Sequence, residues 1–491
     1  AMPSIIITAD KILNHYAEEI GDTILVEDEK ITRIGHGIYS KYATIKKLSG
    51  VIVPGIVDAH LHLTWLGLYL HGADLRGVKD EKQLATLLSR TTGPIAYGRG
   101  WDQENMNNNY PTRKYLDILI PDRPAYASRI CGHVAIVNTI ALKLTKPWEK
   151  YPDLVDKETG LLWEDAAGYV LNKLLSGTDL TTYLETALKS LRNRGVTGAS
   201  SMSCLPGEAS ALKKLDEEDK LRVKVACYPD YTRLKEALEQ SGGRGRYWRI
   251  TGIKMYADGS LGARTARLKQ PYEDDPSTRG MLLLDSEKIQ RIAREALNKG
   301  LRVATHAIGD EALYHVIEAY DSLGCSHECR VEHASLADDN SIEKLGALGV
   351  TVVGQPRFRI SDWWLDKRLG EERVHRLAYR YKTMIKNGVK LALSTDSPVE
   401  PFDPVETIKA ALGACPKTPA CSIKEENLSD KEILKAYTLS AYQASTGETP
   451  RDDLLHATIW DLTLASHYPF SDKINRLDIV GLAEAIGLSS K

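Results

Sequence analysis

The chain has 491 residues, 43% hydrophobic and 26% charged, an ordinary globular balance at a length beyond the usual limit of a single core. Its 64 basic residues face 66 acidic ones, which leaves no electrostatic footprint for nucleic acid or for an anionic membrane surface. It has no 18-residue uncharged apolar run and no basic-then-apolar leader, so neither a membrane span nor a secretory signal is expected, and the expected location is cytoplasmic.

The first fifty residues (SIIITADKIL, DTILVEDEKITRIG, ATIKKLSG) alternate apolar and polar positions around short turns and predict an antiparallel β segment. From there the pattern changes to β-branched runs separated by helical stretches. Eight such runs occur, at 51–63, 195–203, 222–229, 252–259, 301–309, 329–336, 349–356 and 389–398. Between them lie helices such as 285–300 and 310–324, each ending at glycine. Eight βα repeats predict an α/β chain built as a (β/α)8 TIM-type barrel, with chemistry at the C-terminal strand ends. Residues 70–180 are too many for one crossover and read as an insertion or lid after strand one, with strand-like pieces of its own (PIAYGRGWD, RPAYASRICG). Near the end, 430–445 reads as a helix, and HATIWDL (456–462) and KINRLDIVGL as short strands that return to the N-terminal β segment. The expected division is 1–52 with 446–491 as one composite β domain and 53–445 as the barrel.

The seven cysteines are odd in number and scattered, which argues against a disulfide framework and for small buried thiols. Cys325 and Cys329, with His327 between them, could alternatively form a zinc clip, although no second ligand pair is near.

The motif VDAHLHL (57–63) raises the functional question. Residues i and i+2 of a strand share a face, so His60 and His62 project to one side and could grip an ion, or could be hydrogen-bonded core histidines. Further ligands at the ends of other strands would decide for the ion. Lys254 (GIKMYADGS), His306 (VATHAIGD), His333 (RVEHASL) and Asp396 (LALSTDSP) each lie late in an apolar strand, where an ionisable group is costly unless paired or metal-bound.

This set resembles the amidohydrolase superfamily of metal-dependent hydrolases, whose signature runs HxH on strand one, Lys on four, His on five and six, and Asp on eight. The stretches GRGWDQ, GHVAIVNTIAL, KMYADGSLGART, THAIGDEAL and STDSPVEPFDP are similar to the branch containing N-substituted formamide deformylase. The resemblance implies a small β-sandwich built from both termini, and one or two divalent ions, zinc by donor chemistry. It implies that His60 and His62 hold one ion, that His306 and His333 hold a second, and that Asp396 is both ligand and proton shuttle. It also implies that Lys254 carries carbon dioxide as a metal-bridging carbamate; the alternative is a plain lysine paired with Asp258 or Glu164.

The expected reaction is hydrolysis of a C–N bond other than a peptide bond, in an amide, formamide or cyclic amide. The same site would also suit deamination, phosphoester hydrolysis or another superfamily reaction, or the fold could be a regulatory barrel without catalysis. Beyond the ligands, His133 is a candidate catalytic hydrogen-bonding group or a surface histidine. Trp101, Gln355 and Arg357 are candidate substrate-binding residues, with Asp102 beside Trp101 on the lid. Arg264 reads as a structural ion-pair member, and Trp363 and Trp364 as packing for a helix. The expected partner is a small-molecule substrate, and by resemblance the chain would form a homodimer.

Overall fold

The computed structural model describes residues 4–240 and 242–488, which divide into two compact units. Of the described residues, the first comprises those at 4–62, 188–204 and 216–488, the second those at 63–187 and 205–215. Among the described residues no helix is long and apolar enough to cross a membrane.

The first unit opens with β1 (Ile5–Leu13), β2 (Glu19–Glu27), β3 (Lys30–Gly35), β4 (Thr44–Lys47) and β5 (Val51–Pro54). Asp28 and Glu29 both take positive φ (48° and 65°), the backbone of a two-residue hairpin turn that matches strand twist, and they join β2 to β3. The expected all-antiparallel segment is corrected here. β4 and β5 both run parallel to β1, because the longer link after β3 carries the chain back across the sheet.

β6 (Ile56–Leu61) continues from β5 but belongs to a different sheet, so the single run read over 51–63 is two strands. The switch occurs at Gly55, where a Cβ would fall 2.0 Å from Thr197 Oγ1 and 2.5 Å from the Asp461 carbonyl oxygen. Only a residue without a side chain admits that approach.

The second unit contains β7 (Ala73–Asp74), β8 (Ala96–Trp101), β9 (Ala125–Arg129), β10 (Val134–Val137) and β11 (Leu161–Trp163), paired in the order β11-β10-β9-β8-β7. Its core gathers Leu75, Leu84, Leu88, Trp101, Leu116 and Ile136.

The first unit resumes with β12 (Val196–Cys204), β13 (Lys224–Pro229) and β14 (Trp248–Ile250), which run parallel in the order β14-β13-β12-β6. A second parallel ribbon follows in chain order: β15 (Gly252–Tyr256), β16 (Arg302–Ala307), β17 (Cys329–His333), β18 (Thr351–Gly354) and β19 (Lys390–Leu393). A single parallel bridge, Asp230 to Lys254, lies between β13 and β15. The unit is therefore α/β. Its helices include Ser286–Leu297, capped by Asp285, and Asp310–Leu323, closed by Gly324 in the left-handed conformation.

At the C-terminal side, β20 (Leu462–Ala465) pairs antiparallel with β5, and β21 (Ile479–Gly481) pairs with β20, so both chain ends contribute to one sheet. The run 456–462 is not itself a strand. Ile459–Asp461 form a short helical turn capped by Thr458, and β20 begins only at Leu462. Ile5, Ile7, Ile24, Ile52, Trp460 and Leu482 pack beneath this sheet.

Two cysteine expectations are also corrected. Disulfides join Cys325 to Cys329 and Cys415 to Cys421. The turn after Gly324 and the loop after the helix ending at Leu412 bring the Cα atoms to 6.0 and 6.4 Å, inside the bonding range. Cys204 and Cys227 are buried outside any disulfide, and Cys131 is exposed.

Candidate metal centre

The candidate residues come together where the parallel strands of the first unit end. His60 is the penultimate residue of β6, His306 of β16, and His333 closes β17, while Asp396 lies three residues beyond β19. Lys254 sits mid-strand in β15. These five and His62 line one cavity of about 270 Å³, together with Tyr256, Leu261, Ile308, Phe358, Asp362, Tyr379 and Val399. A larger cavity, about 620 Å³, lies against Lys224, Tyr247 and Arg249, but it holds none of the ligand cluster. Chemistry, rather than size, identifies the site.

Within the cluster, His60 Nε2 lies 3.3 Å and His62 Nε2 3.1 Å from the same atom, Asp396 Oδ1. The ring centroids of His60 and His333 are 4.9 Å apart, and those of His306 and His333 4.6 Å. Donor atoms of His60, His333 and Asp396 all fall within 4.8 Å of one another, close enough to serve one ion or two adjacent ones. His60 Nε2 and Asp396 Oδ1 are buried, and among the described residues neither makes a well-formed hydrogen bond, although they face each other and His62 Nε2. Buried polar atoms are rarely left so, because each forfeits its hydration. A divalent cation would satisfy both, and the imidazole and carboxylate donors fit zinc or a similar ion.

The electrostatics keep these groups in ligating form. Burial depresses the His60 and His333 imidazoles, helped by the Lys254 charge at His60 and by the neighbouring His306 at His333. Burial alone would raise the Asp396 carboxyl, but His60 and His62 beside it hold it well below the usual carboxylate range. Neutral imidazoles and an ionised carboxylate are what a cation needs.

The remaining nitrogen of each imidazole is tied down, which fixes its orientation. His60 Nδ1 faces Glu332 Oε2 at 2.5 Å, His62 Nδ1 faces the Met202 carbonyl at 3.0 Å, and His333 Nδ1 faces Gln355 Oε1 at 2.7 Å. His306 Nε2 lies 2.8 Å from the Gly259 carbonyl. Glu332 is itself held by Arg330, whose guanidinium also donates to Ser200 and to the Ala444 carbonyl. Asp58, from the same VDAHLHL motif, accepts the Thr395 hydroxyl at 2.5 Å and the Thr395 amide at 3.1 Å, anchoring the loop that carries Asp396. Burial pushes the Asp58 carboxyl up to about 7. His333, Ala334 and Asp396 have φ of 73°, 44° and 59°. Left-handed backbone at such residues costs about 1–3 kcal/mol each and concentrates at functional sites.

Other expected residues fall elsewhere. Lys254 is buried with its Nζ 4.5 Å from the Tyr256 ring centroid, and it does not pair with Asp258, while Glu164 belongs to the second unit, where it faces His133. Asp258 instead accepts the backbone amides of Arg267, Ile308 and Gly309. Gln355 is not a free substrate contact: its amide is used by His333, Val353 and Ser394. Arg357 is committed to Glu400 at 3.2 Å. Trp101 belongs to the core of the second unit, fully buried, with its indole N–H donating to the Ala127 carbonyl, because the last position of β8 points inward. In that unit too, His133 is exposed and faces exposed Glu164 at 2.9 Å, and Asp102 pairs with Arg129. Arg264 pairs with Asp274, as an ion-pair member should.

The comparisons with known proteins agree with this geometry. A family model described as the amidohydrolase family matches residues 49–449. The chain belongs to the amidohydrolase family. It superposes with a TM-score of 0.86 on the crystal structure of an uncharacterized metal-dependent hydrolase from Pyrococcus horikoshii OT3, at 32% identity over 96% of this chain and 99% of that one. A second, from Pyrococcus furiosus, matches with a TM-score of 0.80 at 33% identity over 90% and 94% of the two chains. Among curated relatives, the N-substituted formamide deformylase of Arthrobacter pascens is 23% identical over 86% of this amidohydrolase chain and 85% of its own length.

Proposed function

We propose that this chain is a metal-dependent hydrolase that cleaves the C–N bond of an amide, formamide or cyclic amide. The observation that carries the reading is the convergence of four imidazoles and a carboxylate in one cavity, where His60 Nε2 and Asp396 Oδ1 are buried without a well-formed hydrogen bond among the described residues. The names of its relatives, a metal-dependent hydrolase and a formamide deformylase, support the same chemistry. In this reading the two parallel ribbons are parts of one barrel, and the sheet built from both chain ends belongs to a small β-sandwich.

His60, His62 and Asp396 would hold one divalent ion, and His306 and His333 a second. A bound ion supplies Lewis acidity, polarising the substrate carbonyl and lowering the pKa of water so that attack proceeds near neutral pH. Asp396 takes the proton that the attacking water loses. As the new C–O bond forms and the C–N bond breaks, Asp396 returns that proton to the departing nitrogen, without which an amine leaves poorly. Gln355, Glu332 and the Met202 carbonyl hold the imidazoles still throughout. Tyr256, Phe358, Leu261 and Val399 give the cavity apolar walls for the substrate. Lys254 would join the ligand set as a carbamate, since an ammonium cannot ligate a cation; this predicts that activity requires bicarbonate. The ions are zinc, and the protein works in the cytoplasm.

The test is a turnover screen of zinc- or manganese-loaded protein against N-formyl amines, N-acyl amino acids, cyclic amides and phosphoesters. Amide hydrolysis that falls at least ~100-fold in Asp396→Asn supports the proposal. Hydrolysis of phosphoesters alone, or an unchanged rate in Asp396→Asn, overturns it.

A further inference from the structure

Beside the ligand cluster, the cavity has mainly apolar walls and one other carboxylate, Asp362. Asp362 follows the short helix Phe358–Ser361, and its Oδ2 accepts the hydroxyl of buried Tyr379. Its second oxygen makes no hydrogen bond among the described residues. No lysine, arginine or histidine there pairs with Asp362 either, since the nearby Arg357 is taken by Glu400 and Glu406. Burial, and secondarily Glu400, push the Asp362 carboxyl up to about 6, against the opposing effect of the Tyr379 hydroxyl, so it is still mostly ionised at neutral pH.

A half-buried carboxylate without a cation is costly to maintain, and one tyrosine hydroxyl offsets only part of that cost. A carboxylate needed only for packing would be better replaced by an amide or an apolar group. Such a group facing a ligand cavity is the counterpart of a positive charge that arrives with the ligand. The aromatic ring of Phe358 in the same cavity suits a flat or cationic substituent, whereas that of Tyr256 already lies beside Lys254 Nζ.

Building on the amide-hydrolase reading, we propose that Asp362 is a specificity-determining residue, forming a subsite for a protonated amine carried by the substrate on the far side of its scissile amide. The preferred substrate class is then an amide of a diamine or amino-substituted amine rather than a neutral amide.

Two formamides of matched shape test this on the metal-loaded protein: N-formyl-4-(aminomethyl)benzylamine, which is cationic, and N-formyl-4-ethylbenzylamine, which is neutral. Wild type is expected to favour the cationic one at least tenfold in kcat/KM. Asp362→Asn should bring the ratio near one, whereas Tyr379→Phe, which keeps the carboxylate, should retain most of it. Circular dichroism and melting curves establish that both variants fold. Calorimetry with the parent amines, 1,4-bis(aminomethyl)benzene and 4-ethylbenzylamine, reads the subsite without turnover. Tighter binding of the diamine by wild type, lost in Asp362→Asn, supports the proposal even where neither formamide is cleaved, an outcome that would count against formamides as substrates and not against the subsite. Turnover of both formamides at equal kcat/KM, or a cationic preference untouched by Asp362→Asn, overturns the subsite.

Discussion

Replacing Glu332 by glutamine asks whether a buried charge holds the His60 imidazole in place. Glu332 Oε1 accepts from Arg330 Nε at 2.5 Å, and Oε2 accepts from Arg330 Nη2 at 3.0 Å while facing His60 Nδ1 at 2.5 Å. Both side chains of the ion pair are fully buried. Two unit charges about 3 Å apart attract by about 5 kcal/mol at an effective dielectric of about 20. Losing one partner of a buried pair typically costs about 3–5 kcal/mol, because the other charge is stranded. Glutamine keeps the shape but turns an N–H toward either the guanidinium or the imidazole N–H, so one donor loses its acceptor. Glu332→Gln should therefore destabilise the metal-free protein by about 3–5 kcal/mol and lower zinc affinity by about 10–100-fold. Urea unfolding followed by both fluorescence and far-ultraviolet circular dichroism measures the first, and competition with a chelator the second. The double variant Arg330→Met/Glu332→Gln removes the stranded cation and should recover about 1 kcal/mol or more relative to Glu332→Gln. A single variant within about 1 kcal/mol of wild type, with zinc affinity intact, would refute the argument that this pair supports the site.

Gln355→Leu leaves His333 without its acceptor and should weaken metal binding by about 10-fold or more with little change in fold, read by the same chelator competition. Trp101→Ala should destabilise the second unit by about 3–5 kcal/mol as a core truncation; a normal melting curve with a raised KM would instead make Trp101 a substrate contact. His15, buried against Thr438, has its imidazole lowered by burial to about 4 from 6.5. The unfolded chain then binds the proton first, so this contribution to stability is complete above pH 6.5 and is lost as pH falls towards 4, at up to ~1.4 kcal/mol per pH unit. His15→Gln should flatten the pH dependence of stability in that window, and an unchanged slope would show that His15 does not titrate there.

Much of the candidate metal centre is legible in the chain because the residues that gather there obey local rules. His60 and His62 share a strand face, and Lys254, His306, His333 and Asp396 each interrupt an apolar run near its end, where burial makes an ionisable group conspicuous. The groups that steady those ligands are not legible in the same way. Glu332 stands 272 positions from the imidazole it orients, and Asp58 is 337 from the Thr395 it anchors. Gln355 and Trp101 show the converse failure, since a polar or aromatic residue near a site has the same letter whether it faces substrate or core.

Periodicity and residue type thus determined most of the strand-forming runs and which side chains could bind a cation, because both depend on near neighbours along the chain. Tertiary structure alone decided that β5 and β6 part company at Gly55, that Asp362 has no cationic partner among the described residues, and which polar groups serve others. Those outcomes depend on what burial places within about 3 Å across hundreds of residues, where hydrogen bonding and desolvation take effect.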